Sequence, residues 1–566
     1  MKRFSLLILV CFIGLIALRP AAAQGSARVI VRLAQSDPGV FSAARVDLLD
    51  SLSGASVNAA SLNWSIPYVA LTVDAAGLAA LRASPLVAGV YEDGLNYPAL
   101  ASSIPVINAD DAWARGYTGT GVTVAVLDTG VEASHPFFGG RVVAEACFSG
   151  GGFATTLCPN GQPTMIGAGA ASPATCAGYS GCSHGTHVSG IAVGSSDSFS
   201  GVGRAANLIG IQVFSLLGSL TAYDSDIISG LNHVYSLRTT YTIAAANLSL
   251  SDGVFRSEYC DAEKAPLKAA IDLLRSAGIA TTIAAGNQGY WGGIAAPACI
   301  STAVGVGATD DTDNVASFSN RSMLLDVFAP GVSVTSSIIG GGYGTSSGTS
   351  MAAPHVAGAF ALLRQAKLAA SVDEMLAALT STGRYIGITD GAVPRIDVNA
   401  AIDVLTGAAP LNLLRNAAFD AGSALWSPWD AITWQVSGGV FEFYRNTGGR
   451  SAVIIQNTGA ILPAGTPLSI QVDLGNSGAT RKRAVIIAHD SDWSDLAACN
   501  FWIPSGQPLQ TYAMSAVTGE DWGAANLSIY ASPADSTGWL RLDNAQLSVS
   551  EDAFNGVTTC SDPNAP

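Results

Sequence analysis

The chain has 566 residues, a length typical of several domains. A hydrophobic share of 49% with only 12% charged residues predicts large buried cores, and 62 glycines predict an ordered protein with many turns. The formal charge of −15 argues against nucleic acids and anionic membranes as partners, because both would repel an acidic protein.

Residues 1–23 have the pattern of a secretory signal. Lys2 and Arg3 form a charged start, residues 4–18 form an apolar core, and residues 21–23 are the small residues of a cleavage site. The apolar segment is short for a membrane-spanning helix. We therefore expect a secreted protein, either extracellular or periplasmic.

The number of cysteines is consistent with an exported protein. One of the nine, Cys11, lies inside the secretory signal, and the remaining eight form the even number that disulfides require. Cys499 and Cys560 are the two cysteines of the C-terminal segment, which favours a bond between them. A zinc site at Cys176 and Cys182 would need two more ligands and is less expected in an exported protein. For the other six cysteines many pairings stay open, and our choice is Cys147–Cys158, Cys176–Cys182 and Cys260–Cys299.

Residues 24–100 predict a small α+β unit with the order strand, helix, strand, helix, strand. The strands are expected at residues 28–33, 68–73 and 87–92, and the helices at residues 41–52 and 75–83.

Residues 101–407 predict an α/β domain. Strand-like apolar runs alternate with helix-like runs, and such alternation indicates a parallel sheet with helices on both faces. The expected strands are 122–127, 208–213, 243–248, 279–284, 302–306 and 325–328, and the expected helices include 224–235, 262–277 and 350–368.

Three polar residues of this domain stand at the edges of predicted elements. Asp128 ends a short apolar run that predicts a buried parallel strand, and open α/β sheets carry functional groups at that end. His184 begins a helix of small residues. Ser350 begins an apolar run that predicts a buried helix, whose N-terminal N–H groups can stabilise an anion. Taken alone, Ser350 is as consistent with an ordinary helix cap.

Together these segments resemble a known family. Residues 126–130, 184–188 and 348–355 match, in the same order, the three signatures of subtilisin-family (subtilase, peptidase S8) serine proteases. The resemblance extends over residues from about 105 to about 405. It implies a three-layer subtilisin-like catalytic domain at residues 101–407, and a secreted serine endopeptidase that needs no cofactor for catalysis.

The chemistry of peptide cleavage assigns a role to each residue. Ser350 is the expected nucleophile, and because an alcohol is a poor nucleophile at neutral pH it needs a base such as His184. Asp128 would orient the imidazole and stabilise its protonated form. The tetrahedral intermediate carries a negative oxygen, which the backbone N–H of Ser350 and, by resemblance, the side-chain amide of Asn287 would stabilise.

Other histidines and aspartates are weaker candidates. His187 lies one turn after His184 and is expected to pack internally. His355 follows Ser350 on the same helix and is expected to be structural, and His135 lies in a loop. The Asp-Thr-Gly at Asp128 is also found in aspartic proteases, but those need a second such motif to pair two carboxylates.

The resemblance also predicts the substrate groove, in which an extended peptide adds a strand to the enzyme. Ser251 replaces the glycine that the family usually has, and Gln288 stands where some relatives carry a carboxylate. Without an acid there, we expect an apolar residue before the cut. The walls and floor of the main pocket are expected to include Ser249, Leu250, Ser251, Ala285, Gly286 and Ala295.

Residues 24–100 are similar to the inhibitory pro-domain of subtilases, a ferredoxin-like unit whose tail lies in the substrate groove until it is cut. The cut is expected within residues 96–103. The alternative is an α+β domain that stays attached.

Calcium is an open expectation. Relatives often bind it beside the His-Pro pair, but Phe137 and Phe138 follow Pro136 here and that site looks lost. Surface turns are the more ordinary explanation for the remaining acidic residues. The candidates for another structural calcium site are Asp197, Asp310, Asp311 and Asp313.

Residues 411–550 alternate polar and apolar positions, which predicts an all-β sandwich before a short tail at 551–566. Its ends resemble jelly-roll carbohydrate-binding modules. Exposed tryptophans could stack on sugars, whereas buried ones would fill the core. The alternative function is therefore a surface- or glycan-binding protein with an inactive protease-like domain. Seven of the ten tryptophans lie in this region: Trp426, Trp429, Trp434, Trp493, Trp502, Trp522 and Trp539.

Overall fold

A computed structural model describes most of the chain. The described residues are 27–35, 37–52, 57–61, 65–93, 95–98, 105–150, 153–430, 432–448, 451–532, 534, 536–550 and 556–565. The predicted secretory signal lies outside them, as do residues 99–103 of the expected cut region. Within the described residues, no helix combines the length and apolar character that a membrane crossing requires.

The N-terminal unit is a four-stranded antiparallel sheet covered by two helices. Its sheet has the order β2-β3-β1-β4, and a further strand, β5, leaves the unit towards the α/β domain. The predicted order lacks β2, because residues 57–61 have no apolar alternation and form a strand by pairing with β3. The elements are β1 (Ala27–Leu33), α1 (Phe41–Ser51), β2 (Val57–Ser61), β3 (Tyr68–Val73), α2 (Ala75–Ala83), β4 (Val87–Glu92) and β5 (Leu95–Pro98).

The α/β domain is built on a ten-stranded sheet, counted over the described residues. Its order is β20-β21-β17-β16-β15-β13-β6-β10-β7-β9, with parallel pairing from β21 to β7 and antiparallel strands at both edges. The strands of the whole domain, some of which lie outside this sheet, are β6 (Thr123–Asp128), β7 (Val142–Phe148), β8 (Thr155–Thr156), β9 (Thr164–Ile166), β10 (Asn207–Gln212), β11 (Phe214–Leu217), β12 (Ser219–Tyr223), β13 (Ile243–Leu248), β14 (Leu250–Ser251), β15 (Ala280–Ala284), β16 (Val304–Thr309), β17 (Val327–Pro330), β18 (Val334–Ile338), β19 (Gly342–Ser346), β20 (Arg384–Ile388) and β21 (Gly391–Arg395).

Helices cover both faces of this sheet. Alternate residues of β6 explain why: Val124 and Val126 pack into the core beneath α4 and α7, whereas Ala125 and Leu127 pack into the core beneath α5 and α6. A strand buried on both faces has a nearly continuous apolar sequence, as β6 does. The helices are α3 (Ala109–Ala114), α4 (His184–Val193), α5 (Asp224–Leu237), α6 (Ala265–Ser276), α7 (Thr349–Ala366), α8 (Val372–Thr382) and α9 (Val398–Leu405).

The sequence prediction lacks several elements of the α/β domain, among them α8, α9 and the hairpins β11–β12 and β18–β19. The second hairpin depends on a partner far away in the sequence. Ser336 Oγ donates to the carbonyl oxygen of His187 at 2.7 Å, and Ser337 Oγ donates to that of Thr186 at 2.9 Å. A short hairpin stabilised by such contacts leaves little signal in its own sequence.

The C-terminal region consists of two antiparallel sheets that share one apolar core. The sheets have the orders β22-β25-β30-β27-β28 and β23-β24-β31-β26-β29-β32. Three of the strands predicted here, at residues 453–455, 468–472 and 484–488, fall inside longer observed ones, and the fourth, predicted at residues 539–542, begins one residue before β31. The elements are β22 (Ser427–Asp430), β23 (Ile432–Ser437), β24 (Val440–Arg445), β25 (Ala452–Asn457), β26 (Pro467–Asn476), β27 (Lys482–Asp490), β28 (Leu496–Ile503), β29 (Gln510–Val517), β30 (Ala525–Ser532), β31 (Leu540–Val549) and β32 (Thr559–Ser561).

Four disulfides lie in the described residues, and they join the same cysteines that the sequence analysis paired. The bond between Cys499 and Cys560 ties β28 to the edge strand β32, and it closes a loop of 61 residues. Two disulfides that close short loops, Cys147–Cys158 and Cys176–Cys182, hold the segment that precedes His184.

Candidate active site

Asp128 and His184 meet in the interior of the α/β domain. The Nδ1 atom of His184 lies 2.7 Å from Oδ1 of Asp128, and both side chains are buried. The same oxygen accepts a hydrogen bond from the backbone N–H of Thr129 at 2.7 Å. A proton on Nδ1 leaves Nε2 as the basic nitrogen of the neutral ring, which is the tautomer that a general base requires.

The first turn of α4 approaches the end of β6 closely enough to make this contact. Thr129 Oγ1 accepts from the N–H of Gly185 at 2.9 Å and donates to the carbonyl oxygen of Cys182 at 3.1 Å. A β-carbon on Gly185 would lie 2.2 Å from the carbonyl oxygen of Gly130. Glycine after the histidine is therefore a requirement of the packing.

Ser350 is the second residue of the buried helix α7, which packs against α4 and against β13, β15, β16 and β17. Its hydroxyl donates to the carbonyl oxygen of Ser249 at 3.0 Å, and Ser249 Oγ donates back to the carbonyl oxygen of Ser350. The hydroxyl thus stands at the end of β13, beside β6. Between β6 and β13, the connections to the next strands along the chain run to opposite sides of the sheet. Open α/β sheets form binding crevices at such a point.

Asn287 is oriented by Thr349, the residue before Ser350. The side-chain oxygen of Asn287 accepts from the N–H of Thr349 at 2.8 Å and from Oγ1 of Thr349 at 3.0 Å. The oxygen and nitrogen of an amide lie on opposite sides of its carbon, so the N–H donors of Asn287 face away from Thr349. The structure therefore brings Asn287 to the N-terminus of α7, next to Ser350.

The residues expected to form the substrate pocket lie on neighbouring segments. Leu250 and Ser251 form β14, and the N–H of Ala295 donates to the carbonyl oxygen of Ala285 at 3.0 Å. Gly286 has a left-handed backbone with φ of 100°, and its N–H donates to Thr349 Oγ1 at 3.1 Å. The pocket segments are thus tied to each other and to the residue before Ser350.

The groove between β12 and β14 is filled by β5 of the N-terminal unit. Leu250 and Ser251 of β14 pair with Pro98 and Tyr97, and β12 pairs with the other end of β5, all antiparallel. An extended segment of the chain itself therefore occupies the groove as the middle strand of three.

Asn320 and Thr349 are site residues that the sequence analysis missed. Asn320 is fully buried behind the loop that carries Asn287, where it bonds to residues on both sides of Asn287. Thr349 lies inside the serine motif, which could have marked it. No sequence pattern marks Asn320, because its partners lie about thirty residues away.

Comparisons with known proteins show the family of this chain. The profile of the subtilase family (peptidase S8) matches residues 119–400. Subtilisin E of Bacillus subtilis (strain 168) is 31% identical over 395 residues, covering 68% of this chain and 92% of that protein. The chain belongs to the subtilase family. It is a subtilisin-like serine endopeptidase.

Two further similarities involve a smaller part of this subtilase. Alkaline serine exoprotease A of Vibrio alginolyticus is 34% identical over 299 residues, covering 53% of this chain and 48% of that protein. A solved cold adapted subtilisin-like serine proteinase is 30% identical, with a TM-score of 0.37, covering 48% of this chain and 86% of that one.

Three other histidines of the subtilase domain have internal contacts. His187 Nε2 lies 3.0 Å from the carbonyl oxygen of Gly344, and His355 Nδ1 lies 2.6 Å from that of Met351. His135 lies in a loop, as expected, and is buried. Its ring bonds both to the N–H of Phe137 and to the carbonyl oxygen of Gly342.

The acidic residues considered for calcium have other contacts or are exposed. Asp310 accepts from the N–H groups of Thr312 and Asn314, both at 2.9 Å, and Asp313 pairs with Arg395 at 2.7 Å. No group of three or more histidine, cysteine, aspartate or glutamate residues in the described part of this subtilase could hold a metal ion. Beside Pro136, the buried rings of Phe137 and Phe138 offer no oxygen ligand.

Burial lowers the pKa of His187 to about 4, so the ring is neutral in the folded subtilase and charged after unfolding below its ordinary pKa. The stability gained from the neutral ring is present above pH 6.5 and is lost as the pH falls through 6.5 towards 4.

The His187→Gln variant tests this effect in a catalytically inactive Ser350→Ala background. We expect the fall in unfolding free energy on acidification to be smaller by up to about 3 kcal/mol than in the protein that keeps His187. Chemical denaturation at pH 7.5, 5.5 and 4 measures it, and equal pH slopes with and without His187 would contradict it.

Proposed function

We propose that Asp128, His184 and Ser350 form the catalytic triad of this endopeptidase, with Asn287 as the oxyanion donor. The observation that carries the proposal is the buried 2.7 Å contact between Asp128 and His184, made where α4 packs against α7, whose second residue is Ser350. A carboxylate buried against an imidazole is the arrangement that orients a general base.

The chemistry follows from these positions. His184 Nε2 takes the proton of Ser350 Oγ while the oxygen attacks the carbonyl carbon of the peptide bond. The backbone N–H of Ser350 and the amide of Asn287 donate to the oxyanion of the tetrahedral intermediate. His184 then returns its proton to the leaving amine, and an acyl-enzyme forms on Ser350. Water, deprotonated by His184, attacks the acyl-enzyme, and His184 returns that proton to Ser350 Oγ as the acid product leaves.

The Ser350→Ala variant tests this assignment. We expect the variant precursor to stay uncut near residues 96–103 and to lose labelling by a fluorophosphonate serine-hydrolase probe. We expect the wild-type chain to be cut and to carry the label on the peptide that contains Ser350. Mass spectrometry of both proteins measures both outcomes.

The matched control is Ser347→Ala, which changes a serine three residues before Ser350. It should leave cutting and labelling unchanged. Equal removal of residues before the cut in wild type and Ser350→Ala would rule out self-processing, and a label on another residue would rule out Ser350 as the nucleophile.

The pocket favours an apolar residue before the cut. Leu250, Ala285 and Ala295 are buried along it. Asp252, which follows Ser251 of the expected wall, is held by Arg256 through both carboxylate oxygens, at 3.1 and 2.8 Å. Its charge is therefore neutralised before a substrate arrives.

Model peptides that differ only in the residue before the cut test this preference. We expect kcat/KM for leucine or phenylalanine to exceed that for lysine or arginine by about tenfold or more, since an unpaired ammonium in an apolar pocket is costly. Gln288→Glu is the matched variant and should raise the lysine value selectively. Faster wild-type cleavage after lysine or arginine would overturn the preference.

We also propose that residues 24–100 act as an inhibitory pro-domain. Its strand β5 occupies the groove that a substrate would fill. A second contact lies at the start of α5, where Arg28 Nη2 donates to Asp226 at 2.9 Å and Arg28 Nε donates to Asp93. The guanidinium also lies 4.1 Å from the centre of the Tyr223 ring.

This buried charge cluster joins residues of the pro-domain to residues of the catalytic domain. Burial raises the pKa of Asp226 to about 7 and also raises that of Asp93, while the guanidinium of Arg28 acts in the opposite direction on both. Asp93 in addition accepts from the N–H of Ser225 in the first turn of α5. Removing Arg28 would leave two carboxylates buried without their cation.

The Arg28→Met variant tests the role of this cluster in inhibition. Breaking a buried ion pair costs about 3–5 kcal/mol, so we expect a pro-domain held at least about a hundredfold more weakly and a shorter lag before activity appears. The control is Arg32→Met on the same strand, where Arg32 is exposed and donates to the carbonyl oxygen of Ala88 at 3.4 Å. Equal lags for the three proteins, with complete cutting in each, would refute the role of Arg28.

We propose that the protein is secreted, because disulfides form and persist in the oxidising environment outside the cytoplasm.

The C-terminal sandwich is the basis for the alternative function, that of a surface- or glycan-binding protein. Of its tryptophans, Trp426 and Trp522 are buried, whereas Trp493 stacks on His489 at 3.5 Å and Trp502 lies 4.4 Å from Arg481. Exposed rings with internal partners favour an accessory role for the sandwich, whereas Trp429, which is 65% exposed, is a ring that a sugar could reach.

A further inference from the structure

Asn320 uses its whole side chain to hold the loop that carries Asn287. It lies in the connection between β16 and β17 and is fully buried. Its Nδ2 donates to the carbonyl oxygen of Ala285 and to Oε1 of Gln288, both at 2.9 Å. Its Oδ1 accepts from the N–H of Gln288 at 3.1 Å and from the N–H of Tyr290 at 3.0 Å.

These contacts lie on both sides of Asn287. Ala285 and Gly286 precede it, and the backbone N–H of Asn320 donates to the carbonyl oxygen of Gly286 at 3.0 Å. Gln288 follows it. Asn320 therefore determines where the backbone of Asn287 lies, while Thr349 orients its side chain.

The contact between the two segments leaves no spare room. A β-carbon on Gly286 would lie 2.5 Å from Asn320 Nδ2 and 2.7 Å from Oε1 of Gln288. Gly286 also has a left-handed backbone, so glycine is favoured there for two independent reasons. The loop can approach Asn320 this closely only without a side chain at residue 286.

The segment that carries Asn320 is itself held in place. The N–H of Gly289 donates to the carbonyl oxygen of Phe318 at 2.7 Å, and the N–H of Arg321 donates to that of Tyr290 at 2.9 Å. The guanidinium of Arg321 donates to the carbonyl oxygen of Ala316 at 3.0 Å. Asn320 is thus part of a fixed frame, which is what a positioning residue needs.

We propose that Asn320 is a positioning residue for catalysis: it sets the distance between the Asn287 amide and the oxyanion, and it fixes the Gln288 side chain at the rim of the substrate pocket. This inference rests on the proposed role of Asn287. An oxyanion donor acts through its exact placement, and a misplacement of about 1 Å can cost about a hundredfold in rate.

A double-mutant cycle tests the inference with a model peptide. Asn287→Ala is expected to lower kcat by about 10²- to 10³-fold. Asn320→Ala is expected to lower kcat by about tenfold, with KM changed by less than about twofold. When Asn287 is already alanine, Asn320→Ala should lower kcat by less than about twofold, because the group that it positions is gone.

A merely structural role predicts another result. If Asn320→Ala lowers kcat by the same factor with and without Asn287, Asn320 does not act through Asn287 and the proposal is wrong. It is also wrong if kcat is unchanged and only the melting temperature falls. The matched control is Asn314→Ala in the same connection, where Asn314 is exposed and bonds to Asp310. It should leave kcat unchanged.

Two further measurements keep the test decisive. If Asn320→Ala does not accumulate, Asn320→Asp serves in the same cycle, since its carboxylate keeps the two accepted bonds and loses the two donated ones. If the wild type hydrolyses the peptide no faster than Ser350→Ala, the proposed function fails. If hydrolysis depends on Ser350 but the cycle is additive, the role of Asn320 alone fails.

Discussion

The close approach of α4 to the carboxyl end of β6 is the constraint on which the rest of the structure depends. It places the imidazole of His184 against the carboxylate of Asp128, away from water. Gly185 permits the approach and Thr129 bonds across it. A parallel sheet buried on both faces supplies the rigid end of β6, because its strands are held by neighbours and by two layers of helices. Without that rigidity the pair would have no fixed position relative to α7.

A second consequence of the parallel sheet is that several loops meet at one edge. The ends of β13 and β15 lead to Ser249 and to the loop of Asn287, which contact Ser350 and Thr349, and the end of the neighbouring strand β6 carries Asp128. The same edge is where β12 and β14 leave a gap that an extended chain can fill. The structure shows β5 in that gap, with the charge cluster around Arg28 at its entrance. Inhibition and substrate binding would thus use the same main-chain contacts.

Much of this arrangement could be predicted from the sequence, but not all of it. The strands β3, β4 and β13 and the helix α2 have the expected boundaries, because each has a clear apolar pattern of its own. The strand β2 and the hairpin β18–β19 were not predictable in this way, since they depend on partners elsewhere in the fold. Asn320 belongs to the same class: a lone asparagine in a loop carries no local sign that four of its hydrogen bonds reach the loop of Asn287.

The sequence by itself determined the family, through three motifs that keep Asp128, His184 and Ser350 in order, and it determined the alternation of strands and helices. Those properties depend on neighbours along the chain, which a linear pattern records. Only the tertiary structure decided that Thr349 orients Asn287, that Asn320 holds its backbone, and that Arg28 meets Asp226 from 198 residues away. Such contacts depend on how whole elements pack, and a polar residue has the same appearance in the sequence whether it meets water or a buried partner.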